Sequence, residues 1–182
     1  MHYDYIIVGG GSAGCVMANR LSARPDRRVL LIEAGRDLPE GRIPAEILDS
    51  YPGAAYINTD YTWGNLRITT SASAANDPDG APRKVYEQAR IMGGGSSING
   101  QLANRGAPQD YDEWAARGAE GWGWSEVLPY FRKLERDLDF GGALHGKDGP
   151  IPIRRIFPDN WPRHTEAIAE YLRDKGMKWL PD

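Results

Sequence analysis

An α/β fold, with a parallel sheet begun by a βαβ unit, is what the sequence predicts, and three features carry that prediction. His2–Val8 ends in a continuous apolar run, Val29–Glu33 forms a second one, and a glycine-rich turn followed by helical spacing lies between them. Continuous apolar runs, as opposed to alternating ones, are the pattern of parallel strands covered on both faces. Strand, turn, helix and strand together occupy about thirty residues, the size of one βαβ unit. The predicted strands are residues 3–8 and 28–33 with helix 13–23 across them, and a right-handed crossover is the expected connection.

Each element has its own local reason. Ala13, Val16, Met17, Ala18 and Leu21 fall at the spacing of one helical face. Residues 35–84 are rich in Gly, Pro, Asp and Asn and predict long irregular loops, with one short helix around Ile43–Leu48. Val85–Ile91 predicts a strand running into a second glycine cluster. Two amphipathic helices follow, the first from about Gln109 to Arg117. The second is capped by Ser125 and carries Val127, Leu128, Tyr130, Phe131 and Leu134. Gly141–Pro152 is turn-rich, and His164–Asp174 predicts a last helix before Gly176.

Composition narrows the function. Glycine supplies 22 of 182 residues, about 12% against a usual ~7%, which points to tight turns and close backbone approach to a ligand. Twenty-two basic and 25 acidic residues leave a net charge of -3 with no basic block, so nothing favours a nucleic acid or an anionic membrane surface. A single cysteine, Cys15, excludes a disulfide framework or a multi-cysteine metal site and is expected to pack. No apolar run approaches the ~20 residues of a membrane span. A strand beginning by residue 3 leaves no room for a leader, so a cytoplasmic location is expected.

Gly9-Gly10-Gly11-Ser12-Ala13-Gly14 contains G-x-G-x-x-G in the context that gives the pattern meaning, closing a strand and opening a helix. Gly9 allows the sharp turn, Gly11 close approach to a pyrophosphate, and Gly14 close helix–strand packing. The positive helix end then faces the phosphates. Glu33 ends the second strand, where a carboxylate accepts hydrogen bonds from adenosine ribose hydroxyls and repels a 2′-phosphate. A dinucleotide is indicated, with NAD and FAD both open at this point.

The second cluster, Ala89-Arg90-Ile91-Met92-Gly93-Gly94-Gly95-Ser96-Ser97-Ile98-Asn99-Gly100, is followed by Ala103, Gly106 and Asp112. It resembles the first signature of the glucose–methanol–choline (GMC) oxidoreductases, with Met92 where Leu, Ile, Val or Trp is usual. The resemblance continues through Asp110-Tyr111-Asp112-Glu113-Trp114, Gly121-Trp122-Gly123-Trp124-Ser125, Leu128-Pro129-Tyr130-Phe131, His145-Gly146 and Gly149-Pro150-Ile151-Pro152-Ile153. Within the family it is most similar to choline dehydrogenases, pyridoxine oxidases and 5-hydroxymethylfurfural oxidases.

The resemblance implies a Rossmann-like FAD-binding domain over residues 1–140 and the start of a substrate-binding domain over 141–182. It implies FAD held at Gly9, Gly11, Ser12, Ala13 and Gly14, at Glu33 and Ala34, and along Met92, Gly94, Gly95, Asn99, Gly100 and Leu102, with Trp63 as a further contact. Ile98 stands where some relatives carry a histidine bonded to the flavin, so FAD is expected to be noncovalent. The implied reaction is hydride transfer from an alcohol to flavin N5. The family's catalytic histidine lies near the end of a much longer chain, and His2, His145 and His164 match no such motif. No catalytic residue and no metal ligand is assigned, Asp110, Asp112 and Glu113 being read as helix-start acids. Trp114, Trp122 and Trp124 are expected to pack. A standalone module that binds FAD or a partner without catalysis is the alternative.

Overall fold

The computed structural model describes residues 2–69 and 82–181. Residues 70–81, in the middle of the expected irregular stretch, lie outside the described residues. The chain forms two compact units, Met1–Leu102 and Ala103–Asp182. They are units of packing and do not test a division by ligand at 140/141.

The first unit opens as the sequence predicts. Strand β1 (Tyr5–Val8) and strand β2 (Val29–Ile32) pair in parallel, Tyr5 opposite Val29 through Val8 opposite Ile32. Helix α1 (Ser12–Ser22) connects them and packs on both. Gly14 makes that packing possible, because a Cβ there would collide with the Gly9 carbonyl and press on Ile7. One feature of the strands departs from expectation. Only Ile7 is buried, while Ile6 and Val8 are 60% and 84% exposed.

Beyond β2 the chain makes two short helices, α2 (Ala45–Leu48) and α3 (Gly53–Ile57), and a 3₁₀ turn at Thr59–Tyr61. Strands β3 (Arg67–Ile68) and β4 (Lys84–Val85) form an antiparallel pair. The expected strand Val85–Ile91 therefore shrinks to its first residue. Past it the backbone changes partner, bridging Thr62 from Ala89 in antiparallel sense and Arg36 from Ile91 in parallel sense. Each of these contacts is a single isolated bridge and not a run of consecutive pairs, so residues 86–91 hold no named strand. The chain then turns into α4 (Gly95–Ile98), a single helical turn. Tyr61, Ile91 and Ile98 form the buried core here, with Leu38, Ile47 and Ala89 packed against them.

The second unit holds α5 (Pro108–Ala116) and α6 (Trp124–Leu134). Strands β5 (Glu135–Asp137) and β6 (Ile151–Ile153) pair in parallel, and α7 (Arg163–Asp174) follows. The predicted Ser125 cap is not formed. Gly123 is the N-cap of α6, and the Asp112 carboxylate accepts from Trp124 N at 2.9 Å instead. Tyr111 stacks edge-on against Trp114 and Phe131 and lies against Trp124. This is the packing role expected of these aromatics, although Trp114 and Trp122 stay half exposed. Among the described residues no helix is long and apolar enough to cross a membrane.

Candidate functional site

The β1–α1 turn and the second glycine cluster, some eighty residues apart in the sequence, form one backbone cradle. Gly9, at φ +99°, makes the turn and donates from its N–H to the Ile32 carbonyl at 2.7 Å. Gly11 is the N-cap of α1, so Ser12, Ala13 and Gly14 supply its first-turn N–H groups, which have no acceptor inside a helix. Gly11 bridges Gly93, and Gly93 N donates to the Gly10 carbonyl at 2.7 Å. A Cβ on Gly94, itself at φ +58°, would come within 2.7 Å of Gly11 Cα. Side chains are thus excluded where the two clusters meet, and the two glycine backbones pack directly on each other.

Glu33 sits at the edge of this cradle and is held there. Its Oε2 accepts from Gly10 N at 2.7 Å and its Oε1 from Gly35 N at 2.8 Å. Each carboxylate oxygen has a second lone pair, so the group still offers acceptors to a ribose. Ala34 follows it, exposed. Gly35 needs its lack of side chain, because a Cβ would run into the Arg90–Ile91 peptide.

The remaining positions lie along the second cluster. Met92 donates from its N–H to Arg36 O at 3.0 Å and places its Sδ over Gly10. Gly95 starts α4, and Asn99 ends it by donating from its N–H to Gly95 O at 2.8 Å. Asn99, Gly100 and Leu102 are exposed on the exit of α4, where Gln101 bonds Asp49 O at 2.8 Å. Trp63 N donates to Gln88 O at 2.9 Å, and the Arg90 guanidinium lies 5.5 Å from its ring. The Tyr61 hydroxyl donates to Glu46 Oε1 at 2.7 Å. Burial, then the Glu46 carboxylate, pushes that phenol up, while the same bond holds Glu46 below the usual carboxylate range.

The sequence reading missed the part played by Gly10 and Gly35 and the particular partner of Cys15. Gly10 is buried, with both of its peptide groups used by the protein. Cys15 packs as expected, but against the turn itself, donating from Sγ to Gly10 O at 3.1 Å. Gly35 was visible only as one more glycine in a loop.

The second unit carries a buried ionic network. Glu135 Oε1 pairs with Arg105 at 2.7 Å and accepts from Gly146 N at 2.8 Å. Asp137 Oδ2 pairs with Arg155 at 2.6 Å and with His145 Nδ1 at 2.9 Å, while its Oδ1 accepts from Asp139 N and Phe140 N. Burial pushes Asp137 up, but the Phe140 N–H, then Arg155 and the Asp139 N–H, outweigh it and hold the carboxyl far below the usual range. Glu135, Asp137 and His145 come close enough to share an ion. Arg105 and Arg155 already balance both carboxylates, so the group is better described as a structural clasp. Asp110, Asp112 and Glu113 each take a separate partner: Ala107 N, Trp124 N and Arg117.

Strand, glycine turn, helix, strand and terminal acid define a Rossmann-like dinucleotide-binding unit. The chain belongs to the GMC oxidoreductase family, which it matches over residues 3–179. It is 51% identical over 185 residues to a 5-(hydroxymethyl)furfural oxidase of Methylovorus sp., covering 99% of this chain and 34% of that protein. An oxygen-dependent choline dehydrogenase of Vibrio vulnificus is 44% identical over 152 residues, covering 82% of this chain and 25% of that one. The crystal structure of pyridoxine 4-oxidase from Mesorbium loti superposes with a TM-score of 0.78 at 34% identity, over 99% of this chain and 33% of that one. The chain therefore spans about a third or less of the relatives it matches.

Proposed function

We propose that this chain is the amino-terminal, FAD-binding part of an enzyme that oxidises an alcohol, with residues 141–182 beginning the substrate-binding part. The observation that carries the reading is the meeting of the two glycine clusters, with Gly94 against Gly11 and Gly93 bonded to Gly10. A turn at a helix N-terminus alone would serve any dinucleotide. A second bare glycine surface beside it fits a cofactor that continues from a pyrophosphate into a flat ring system.

The chain's own residues divide the work. The first-turn N–H groups of Ser12, Ala13 and Gly14, with the positive end of α1, receive the pyrophosphate. Glu33 accepts the ribose hydroxyls. Gly94 and Gly95 approach the ribityl chain and ring without bulk, and Trp63 stands by as an aromatic neighbour. FAD, when bound, supplies the hydride acceptor at N5. Ile98 is 2% exposed, packed with Tyr61 and Ile91, and carries no nucleophile, which supports noncovalent binding. His2 and His164 are exposed and His145 is committed to the Asp137 clasp. This supports a catalytic base supplied from outside the chain.

The test is to titrate the intact protein carrying this sequence with FAD and, separately, with NAD. Primary alcohols are then added without oxygen. The expected result is a bound flavin absorbance that bleaches with an alcohol. Binding of NAD but not FAD would overturn the reading.

A further inference from the structure

Met92 touches every piece of the cradle. Its N–H donates to Arg36 O at 3.0 Å, beyond β2, and its carbonyl accepts from Ser97 Oγ at 2.8 Å, in α4. Its Sδ lies 3.9 Å from Cys15 Sγ, in α1. The same sulfur covers the β1–α1 turn so closely that a Cβ on Gly10 would lie only 2.6 Å from it.

Gly10 is the residue whose placement matters. Its N–H is taken by Glu33, and its carbonyl by Gly93 N and Cys15 Sγ. Gly10 therefore gives nothing to a phosphate. The donors are the N–H groups that follow it, and their position depends on how Gly10 is seated. Hydrogen bonds fix its two peptide groups, and the space over its Cα is closed by the Met92 thioether and the Glu33 Cβ.

We propose that Met92 is a positioning residue for the dinucleotide turn. Its thioether seats Gly10, and through Gly10 it sets where the first-turn N–H groups of α1 meet the pyrophosphate. The inference rests on the FAD reading above. The thioether reaches over the turn and fits an irregular gap, a space that another large apolar side chain such as leucine could also fill.

A double-mutant cycle on the intact protein tests it, with FAD affinity read by flavin fluorescence and the thermal midpoint read without FAD. Met92→Ala is expected to weaken FAD by roughly tenfold, the equivalent of one displaced phosphate hydrogen bond. Its FAD-free midpoint should fall no further than that of Met92→Leu, which should bind FAD nearly as the wild type does. Gly10→Ala pushes a methyl into the thioether and is expected to weaken FAD similarly. Combined with Met92→Ala it should regain affinity, because the methyl then fills the vacated space. Should Met92→Ala fail to fold, Met92→Val enters the same cycle. Additive losses in the double variant would overturn the inference, as would an affinity loss that only tracks the FAD-free midpoint. A wild type that binds no FAD would instead reject the functional reading itself.

Discussion

Glu33 braces the glycine turn through Gly10 N and Gly35 N and faces the place expected for the ribose. Glu33→Ala therefore removes a charged acceptor from the ligand and a clasp from the turn. The expected loss of FAD affinity is about 1.5–3 kcal/mol. Asp112 serves Trp124 N at the start of α6, so Asp112→Ala should cost about 1 kcal/mol of stability and leave FAD affinity unchanged. Equal FAD affinities for the two variants in one titration would remove Glu33 from the site. Ile98 gives a second prediction at this scale. Acid precipitation of the flavin-loaded protein should leave its yellow colour in the supernatant, and flavin retained in the pellet would show a covalent bond elsewhere. Both residues could be singled out in the sequence, each as a side-chain type at a motif position, whereas the bonds of Glu33 to Gly10 N and Gly35 N appear only in the fold. The roles of Gly10, Cys15 and Gly35 could not be read there, because they come from Met92, Gly93 and Arg90, brought close only by folding.

At the scale of elements, the β5–β6 pair carries buried charge pairs beside its ladder. Glu135 and Asp137 are buried strand residues tied to Arg105, His145 and Arg155. The folded state lowers the Asp137 pKa from its ordinary value of 3.8. As pH falls, the unfolded chain therefore takes up the proton first. The stability contributed by Asp137 is complete above the ordinary aspartate range and is lost as pH drops below about 4 toward the folded-state value. Asp137→Asn should cost about 3–5 kcal/mol at neutral pH by stranding the Arg155 guanidinium. The gap to wild type should narrow in urea melts at pH 3, and a gap independent of pH would disprove the assignment. Sequence pattern could not find β5, for Glu-Arg-Asp shows neither an apolar run nor alternation. Helix α7 and the α5–α6 pair were found because their apolar spacing is local. Val85–Ile91 misled because its residues suit a strand, while past Val85 its contacts with Thr62 and Arg36 are single bridges whose partners the sequence does not reveal.

For the molecule as a whole, β1 and β2 have the composition of central strands, yet Ile6 and Val8 are mostly exposed. α7 likewise leaves Ile168 and Tyr171 uncovered. Parallel sheets are stable when both faces are covered, and covering a side chain of this size contributes about 1.5–3 kcal/mol. The relatives that this chain matches are about three times its length. Residues 1–182 expressed alone should therefore bind FAD weakly or not at all and should oxidise no alcohol even with FAD in excess. His2 and His164 are exposed and His145 is held by Asp137, and on the proposed reading the base that receives the hydroxyl proton comes from outside residues 1–182. General base catalysis is worth ~10²–10⁴-fold, and loss of substrate orientation removes a further factor. The measurement is anaerobic bleaching of the flavin band with a panel of primary alcohols, run beside the intact protein. Substrate-dependent bleaching by residues 1–182 at a rate near that of the intact protein would place the active site within this chain and overturn the proposed division of labour.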